Sequence, residues 1–260
     1  MVQRFLTTKP LPAGMMPLSG STIVAMPHLH VLKAMCVEEG DIVPPSRDDP
    51  GLIKIRLADS AGHRTGASFL VQRRYAWRGY EVGEAPGVVP NRITLSASDA
   101  DETIATISVG LDSDLGLFVD NLYRAEVDSI REQKRKVCEF TRLATESGLR
   151  SKPVLAALFH IAYIYARRIN GCTDLFVEVN PRHVLFYKRM LGFSDCGPER
   201  HDPRVQAPAL LLRLDLAFAQ RQIAEMGGHV ELASERRSLY PYFFSPREER
   251  GIEHRLRELG

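Results

Sequence analysis

Two segments carry the side chains best suited to chemistry. In "CEFTRLAT", Glu139 and Arg142 stand three residues apart, and they combine a carboxylate that can accept a proton with a guanidinium that can hold an anion. In "EVNPRHVLFYKRMLGF", Asn180 offers an amide donor and Tyr187 a phenol. A phenol has an unperturbed pKa near 10, so Tyr187 is a candidate proton donor. The residue types therefore indicate acid–base chemistry.

The second segment also has a purely structural interpretation. Tyr187 falls on the apolar stripe of its helix with Val184 and Leu191, so packing with a satisfied hydroxyl explains it as well as catalysis does. Asn180 followed by Pro181 suits the N-cap and first turn of a helix. Both interpretations remain open from the residues alone.

The two charged residues of the first segment can share one site only in a particular backbone geometry. In strict strand alternation, Glu139 and Thr141 share one face and Arg142 takes the other. Glu139 and Arg142 reach one cavity only if a β-bulge lies between them. The structural alternative is an ordinary Glu–Arg pair at a sheet edge.

The elements that must position these residues follow from apolar periodicity. Strands are predicted for "LIKIRLA", "NRITLSAS", "ETIATISVGLDS", "VCEFTRLAT", "DLFVEV" and "PALLLRLDL". Helices are predicted for "GASFLVQRRYAWRGY", for "LFVDNLYRAEVDSIREQKRK" with Asp120 as its cap, for Val154 to Ile169 ending at Gly171, and for "RHVLFYKRMLG". This order predicts an α/β (α+β) fold with a mixed sheet flanked by helices.

Size and composition indicate one large domain with two additions. The chain has 260 residues, of which 44% are hydrophobic and 25% charged, enough to bury a full core. Residues 1–50 are rich in Pro and Gly and are predicted to form an irregular N-terminal extension. The domain is predicted over 51–225. Residues 226–260, with the aromatic cluster "YPYFFSP", are predicted to be a C-terminal helical extension that packs on the core.

Charge and cysteine content narrow the partners. The 34 basic and 32 acidic residues leave a net charge of +2, so nothing global argues for a nucleic-acid partner. No Cys or His spacing matches a metal site, and we predict no metal. No stretch approaches ~18 apolar residues, so we expect no transmembrane segment. The four scattered cysteines fit a reducing cytoplasm.

Longer blocks of the sequence carry a resemblance. "YAWRGY", "CEFTRLA", "LFHIAYIYARR", "EVNPRHVLFYKRMLGF" and "RVQAPALLLRLDL" occur in this order between Leu52 and Leu216. The chain resembles the GNAT acyltransferase superfamily and, more closely, the bacterial long-chain N-acyl amino acid synthases, which are relatives of the acyl-homoserine lactone (autoinducer) synthases. The resemblance implies a splayed, GNAT-like mixed sheet. It also implies transfer of a long fatty acyl group to the α-amine of an amino acid.

The resemblance assigns roles to the residues above. Glu139, Thr141 and Arg142 match the Glu-x-Ser/Thr-Arg pattern of the autoinducer-synthase relatives. Glu139 is thereby expected to steer or deprotonate the amine, and Arg142 to hold a carboxylate or support Glu139. Tyr187 is the implied acid for the departing thiol, and Asn180 the implied donor to the pantetheine arm.

A further group is expected to bind substrate. Arg74, Tyr75 and Trp77 lie in the segment that, in these relatives, folds over the acyl chain and acceptor. An amphipathic helix that buries Trp77 is the structural alternative.

The donor is expected to be an acyl carrier protein. Coenzyme A-dependent relatives carry a glycine-rich loop whose amides grip a pyrophosphate at a helix start, but "TESGLRSKPV" has one glycine and the spacing fails. Acyl-coenzyme A is thus the less favoured donor, and no tightly bound cofactor is expected. Carrier proteins are acidic, so the candidate docking charges are Arg150, Lys152, Arg167 and Arg168.

Two other functions remain open. The first is an acyl-homoserine lactone-type signal synthase, against which the lack of an Asp pair near Glu81 and Glu84 argues mildly. The second is a non-catalytic module that binds an acyl chain or a carrier protein. Turnover with acyl carrier protein and mixed amino acids separates these from the first hypothesis.

Overall fold

The computed structural model describes residues 22–27, 52–58, 61–76, 91–100, 102–146 and 151–259. Nine strands of this part of the chain form one mixed sheet with helices on both faces. The strands are β1 Thr22–Pro27, β2 Leu52–Leu57, β3 Arg92–Asp99, β4 Glu102–Leu111, β5 Val137–Thr145, β6 Asp174–Val179, β7 Ser194–Asp195, β8 Arg200–Asp202 and β9 Ala207–Asp215. The predicted α/β (α+β) class is confirmed.

The helices are numbered in chain order. They are α1 Ala61–Ala76, α2 Asp120–Arg131, α3 Lys152–Tyr163, α4 Val184–Leu191, α5 Leu216–Met226, α6 Ala233–Arg236 and α7 Pro246–Leu259. Helix α3 continues as a π-helical segment over Ile164–Ile169, and short 3₁₀ turns lie at Pro181–His183, Val230–Leu232 and Tyr240–Tyr242.

The sheet changes character in its middle. Strands β1 to β5 are successive antiparallel neighbours, whereas β5 and β6 are parallel and β6 then pairs antiparallel with β9. The parallel pairing covers only the first residues of β5 and ends at Glu139 opposite Phe176. Beyond that pair the two strands continue without bonding to each other, and the space between them is called the cleft below. This is the predicted splay.

Side chains of the central strands alternate between the two faces of the sheet, so each face has its own hydrophobic core. Cys138 and Phe140 of β5 and Leu175 of β6 face the larger core, which α3, α5 and the C-terminal segment cover. Phe176 of β6 instead faces a smaller core beneath Tyr123 and its helix α2. The cleft thus has an α2 side and a larger-core side.

Three local features differ from the sequence predictions. Within the predicted irregular region 1–50, Thr22–Pro27 form an edge strand paired with β2, because Ile23 fits the buried face and Pro27 ends it. Asp120 does not cap α2: it is the first helical residue and instead accepts from Leu117 N at 2.7 Å. The helix predicted to run through Lys136 ends at Arg131.

The helix ends and the C-terminal segment complete the fold. Ser151 caps α3. Gly171, with φ of +68°, ends the π-helical continuation in the left-handed conformation that the sequence predicts for a terminal glycine. The aromatic segment near the C-terminus is buried against the larger core through Tyr240 and Phe243. Within the described part of the chain, no helix combines the length and apolarity needed to cross a membrane.

Candidate active site

A β-bulge on β5 shapes the cleft. Thr106 of β4 pairs with Ala144, and Ser108 pairs with Thr141, so one β4 residue faces two on β5. The extra residue is Arg142, whose φ of +53° is uncommon for a non-glycine residue. The bulge that the Glu139–Arg142 spacing required is therefore present, and it turns the Arg142 side chain out of strict alternation.

Glu139 lies fully buried beneath the cleft, on its α2 side. Its carboxylate accepts hydrogen bonds from Phe118 N at 2.9 Å and Val119 N at 3.0 Å, and it forms an ion pair with Arg92. Gly110 of β4 makes room for this pair, because a Cβ there would lie 2.9 Å from both Arg92 Nη2 and Glu139 Oε1. Glu139 is thus engaged on both oxygens and anchors the loop that begins α2.

Arg92 is the partner that the sequence did not reveal. Its Nη1 donates to Thr141 Oγ1 at 2.8 Å, and its guanidinium lies 3.9 Å from the centre of the Phe118 ring. Arg92 begins an ordinary alternating strand, and its pairing with Glu139 spans 47 residues. The residue that supports Glu139 is therefore Arg92 and not Arg142, which corrects that half of the expectation.

Arg142 differs from Arg92 in its electrostatic surroundings. Among the described residues, no acidic group pairs with its half-buried guanidinium. Burial lowers the pKa of Arg142, and the like charge of Arg92 lowers it further, while Tyr75 acts in the other direction. A desolvated cation beside another cation favours a bound anion.

Tyr187 of α4 lies beside the same region. It is 8% exposed and packs edge-on against Phe159 and Phe193, at centroid distances of 6.2 and 5.4 Å. Burial, and next the nearby Tyr75, raise the pKa of its phenol well above the usual value. The structure records no hydrogen bond to its hydroxyl from the residues it describes. Tyr187 therefore combines the packing role with a protonated, unengaged phenol.

Tyr75 connects these two residues. It lies near the end of α1, is half-buried, and packs on the small cluster of Leu70, Val71 and Ala144, the last of which belongs to β5. It interacts electrostatically with both Arg142 and Tyr187. Arg74 precedes it and is half-buried. Trp77 and Arg150 lie outside the described residues.

Asn180 lies directly after β6 and has the structural role of a helix cap. Its Oδ1 accepts from Arg182 N at 3.3 Å, as a helix N-cap does, and its Nδ2 donates to Pro208 O at 3.2 Å. Both polar ends of the side chain thus hold the joint that orients the next helix and, with it, Tyr187.

The three described docking candidates do not form one patch. Lys152 begins α3, whereas Arg167 and Arg168 lie in its π-helical end, about 22 Å further along the axis. Arg168 forms an ion pair with Glu249 at 2.6 Å, and Arg167 donates to Cys172 O at 3.1 Å. Lys152 is exposed at the start of the helix, and a docking role for these residues stays a prediction.

A second polar cluster on the α2 side was also missed. Glu178 of β6 and Thr141 of β5 both stand two residues beyond the last β5–β6 pair, on the same face. Glu178 pairs with Arg204, which also binds Asp202 at 2.9 Å. Burial raises the pKa of Glu178 to about 8, Arg204 opposes the rise, and Asp202 adds to it. Sequence alone could not predict this carboxyl pair, because β6 and β8 meet only through β9.

An apolar cavity lies on the other side of the cleft. It is small, with a volume of about 20 Å³, and Phe140, Phe159, Leu175 and Phe193 are among its walls. Two of these walls, Phe159 and Phe193, are the rings that Tyr187 contacts. Phe140 follows Glu139 directly. The cavity therefore begins where the polar residues of the cleft end.

Comparison with solved structures supports the fold. FeeM, an N-acyl amino acid synthase from uncultured soil microbes, superposes with a TM-score of 0.58 at 27% identity over 64% of this chain and 97% of its own. An N-acetyltransferase from Lactobacillus plantarum, described as putative, gives 0.48 at 18% identity over 63% and 98%. The acyl-homoserine lactone synthase LasI gives 0.42 at 11% identity over 63% and 90%.

Comparison by sequence is more specific. A search of proteins with curated functions gives no match to this chain. The family model for the N-acyl amino acid synthase FeeM matches residues 66–215, which is more than half of the sequence and includes β5, α3, β6 and α4. The chain therefore belongs to the FeeM family of N-acyl amino acid synthases and is an acyltransferase with a GNAT-like fold.

Proposed function

We propose that this acyltransferase moves a long-chain fatty acyl group from an acyl carrier protein to the α-amine of a free amino acid in the cytoplasm. The amine attacks the thioester carbonyl directly, an amide forms, and the carrier leaves as a thiol. The observation that carries the proposal is Arg142, a half-buried guanidinium that no acidic group among the described residues neutralises.

Arg142 is suited to the α-carboxylate of the acceptor. A carboxylate can accept two parallel hydrogen bonds from one guanidinium, which fixes its orientation as well as its position. Binding of this anion also relieves the repulsion between Arg142 and Arg92. The α-amine is only one carbon from the carboxylate, so holding the carboxylate at the bulge keeps the amine close to the cleft.

Tyr187 is suited to protonate the leaving thiolate. Its burial keeps the phenol protonated at neutral pH, and its hydroxyl takes part in no recorded bond with the described residues. The neutral amine loses one proton as the amide forms, and that proton reaches the departing sulfur through the Tyr187 hydroxyl, which gives up one proton, receives another and so stays protonated overall.

Glu139 acts by positioning. Both of its oxygens are occupied by Arg92 and by the amides of Phe118 and Val119, and the residue is fully buried. We assign it the steering role and not direct deprotonation. It fixes Arg92, which also binds Thr141, so the pair joins β3 to β5 beside Arg142.

The start of α3 supports a carrier-protein donor. A pyrophosphate at a helix start needs free backbone N–H groups. Here Pro153 has none, and the N–H of Val154 donates to Ser151 Oγ at 3.4 Å. Two of the first three α3 amides are thus unable to bind the pyrophosphate of coenzyme A. A carrier protein presents the pantetheine arm without it.

The test supplies purified enzyme with the same acyl group on either acyl carrier protein or coenzyme A, together with all twenty amino acids, and identifies products by mass spectrometry. We expect an N-acyl amino acid from the carrier-protein thioester and a much lower rate from the coenzyme A thioester. Absence of product with both donors contradicts the transferase proposal. A faster reaction with coenzyme A contradicts only the choice of donor.

A further inference from the structure

The acceptor amine needs a proton acceptor at the cleft, and Glu139 cannot serve as one. The α-amine of an amino acid is mostly an ammonium ion at neutral pH, and an ammonium ion has no lone pair with which to attack a thioester. A general base must therefore remove one proton before the amide forms. Both oxygens of Glu139 are already bonded within the fold.

Glu178 of β6 lies at the cleft in a suitable position. It stands across from Thr141, two residues beyond the last pair between β5 and β6, and neighbouring strands are about 5 Å apart where they pair. Thr141 directly precedes Arg142, the proposed site of the acceptor carboxylate. A cation for the carboxylate of an amino acid and a carboxylate for its ammonium group thus lie on adjacent strands at the same level of the sheet.

The Glu178 carboxyl group is only partly engaged. Its Oε1 pairs with Arg204, whereas its Oε2 has no hydrogen-bond partner among the described residues. Asp202, the other carboxyl group of this cluster, accepts from both the backbone N–H and the guanidinium of Arg204. The Glu178 side chain is 13% exposed. Of these two carboxyl groups, Glu178 therefore has the greater acceptor capacity left for a substrate.

The groups around Glu178 adjust its affinity for protons. Burial raises its pKa to about 8, Arg204 opposes the rise, and Asp202 adds to it. Tyr123 of α2 is the titratable group on the helix side. Thr141 on β5 and the residue opposite on β9 carry no charge. A base whose pKa lies near the working pH can take a proton from an ammonium ion and later return it to water.

From this placement we propose that Glu178 is the general base that converts the bound acceptor from an ammonium ion into a nucleophilic amine. The inference rests on the proposed transfer to an α-amine whose carboxylate is held at Arg142. One N–H bond breaks, its electron pair stays on nitrogen, and an O–H bond forms on the Glu178 carboxylate. The amine then attacks the thioester, its second proton reaches the departing sulfur through Tyr187, and Glu178 returns the first proton to water.

The test compares two acceptors in the Glu178→Gln variant. With the amino acid that the parent enzyme acylates fastest, kcat at neutral pH is expected to fall by about 100-fold. The second acceptor is the aminooxy acid with the same side chain, whose nitrogen is already neutral at this pH. Its kcat is expected to stay close to that of the parent, because no proton has to be removed before attack.

The dependence of kcat on pH gives a second readout. In the parent, kcat for the amino acid is expected to rise with pH and to level off above about 8, as Glu178 ionises. In Glu178→Gln, kcat should continue to rise beyond that pH, because the bound amine must lose its proton unaided. Asp202→Asn removes a group that raises the pKa of Glu178, so the rise should move to lower pH.

The matched control is Glu126→Gln. Glu126 is also a carboxylate bound by one arginine, Arg200, with 18% of its side chain exposed, but it belongs to α2 and not to a strand of the cleft. Its loss is expected to leave kcat and the pH profile unchanged. Circular dichroism verifies that each variant is folded.

Three results would overturn the assignment of Glu178 alone. They are a folded Glu178→Gln that keeps the parent kcat with the amino acid, an equal loss with both acceptors, and an equal change of the pH profile in Glu126→Gln. A parent enzyme that acylates no amino acid overturns the proposed function and this inference with it.

Discussion

Two arginines near the same strand differ in almost every respect. Arg92 is nearly inaccessible, with 6% of its side chain exposed, and it is bound by a carboxylate, a hydroxyl and an aromatic ring. Arg142 is half-buried at a bulge, and among the described residues no acidic group pairs with it. One guanidinium has its counter-charge within the fold, and the other has none among the described residues.

The difference distinguishes an arginine that stabilises the fold from one that is available to bind a ligand. A buried charge whose partners are all supplied by the protein has little left to offer a ligand, and removing one partner strands the other. A desolvated charge without a partner costs folding energy that a bound anion repays. The Arg92–Glu139 pair therefore stabilises the cleft, whereas Arg142 is available to hold the acceptor.

The largest expected effect comes from breaking the complete network. Glu139→Gln leaves Arg92 buried without a counter-charge and weakens the acceptor of the Phe118 and Val119 amides. We expect the free energy of unfolding to fall by about 3–5 kcal/mol, with loss of activity. Urea denaturation followed by circular dichroism measures the change.

Glu146→Gln is the control for that variant. Glu146 also pairs with an arginine, Arg73, but their side chains are 27% and 44% exposed. Solvent screens this pair, so its loss is expected to cost at most about 1 kcal/mol. Equal losses in the two variants would show that the Arg92–Glu139 pair is not a scaffold.

Tyr187→Phe tests the second group of residues, whose polar atoms are left for the substrate. Removing the hydroxyl is expected to lower kcat by about 100-fold, because the thiolate loses its acid, while stability changes little. The pKa of Tyr187 is raised, so the phenol stays protonated and wild-type kcat should show no decline from its ionisation between pH 7 and 9. Steady-state kinetics across this range measure both outcomes.

Tyr123→Phe is expected to lower stability and not kcat, which is the reverse of the effect of Tyr187→Phe. The Tyr123 hydroxyl donates to Ala209 O at 2.8 Å and to Pro198 O at 3.0 Å beneath α2. Its removal is expected to cost about 1–3 kcal/mol of stability and to leave kcat unchanged. A Tyr187→Phe variant that loses stability and keeps kcat would assign Tyr187 to packing alone.

Arg142→Met tests the comparison of the two arginines, because its effect on stability is expected to differ in sign from that of Glu139→Gln. We expect KM for the amino acid to rise about 10- to 100-fold, since a charge-assisted contact to the carboxylate is lost. Stability should stay constant or increase, because a desolvated cation near Arg92 is removed. Calorimetric melting and amino-acid saturation curves measure the two effects. A marked loss of stability would mean that Arg142 has a structural partner.

Local sequence patterns predicted much of this arrangement. Periodicity identified strands β2 to β6 and β9 and helices α1 to α4, because each depends on contacts made along one face of one element. The spacing of Glu139 and Arg142 made a bulge the condition for both to reach one cleft, and the structure has a bulge at Arg142. Local chemistry also predicted the capping by Asn180 and the helix end at Gly171.

Contacts between distant parts of the chain escaped prediction for a physical reason. Arg92 and Glu139 meet only when β3, β4 and β5 are in register, and an arginine in an alternating strand looks like a solvent-facing residue. Likewise, Tyr240 and Phe243 reach the cavity only after α5 reverses the chain. The aromatic cluster indicated burial but not what it would enclose.

The smallest expected effect on stability concerns Glu178, which lies across the cleft from Thr141. Its folded-state pKa of about 8 exceeds the usual 4.5, mainly through burial, so the folded state holds a proton that the unfolded state releases. The stability gained from this proton is complete below pH 4.5 and is lost as the pH rises through 8. Glu178→Gln mimics the protonated form, so stability should become less dependent on pH between 5 and 8, with a gain on the order of 1 kcal/mol at pH 8.

Melting temperatures of both proteins across this range measure the effect, which corresponds to roughly 2–4 °C at pH 8. Arg204 complicates the sign, because it favours the charged form of Glu178 and is also held by Asp202. If Arg204 were the stronger influence, Glu178→Gln would destabilise the protein at pH 8 and leave it unchanged at pH 5. That result would place Glu178 with Glu139 among the paired scaffold carboxylates. The expected result instead makes Glu178 and Asp202 a carboxyl pair that shares one proton.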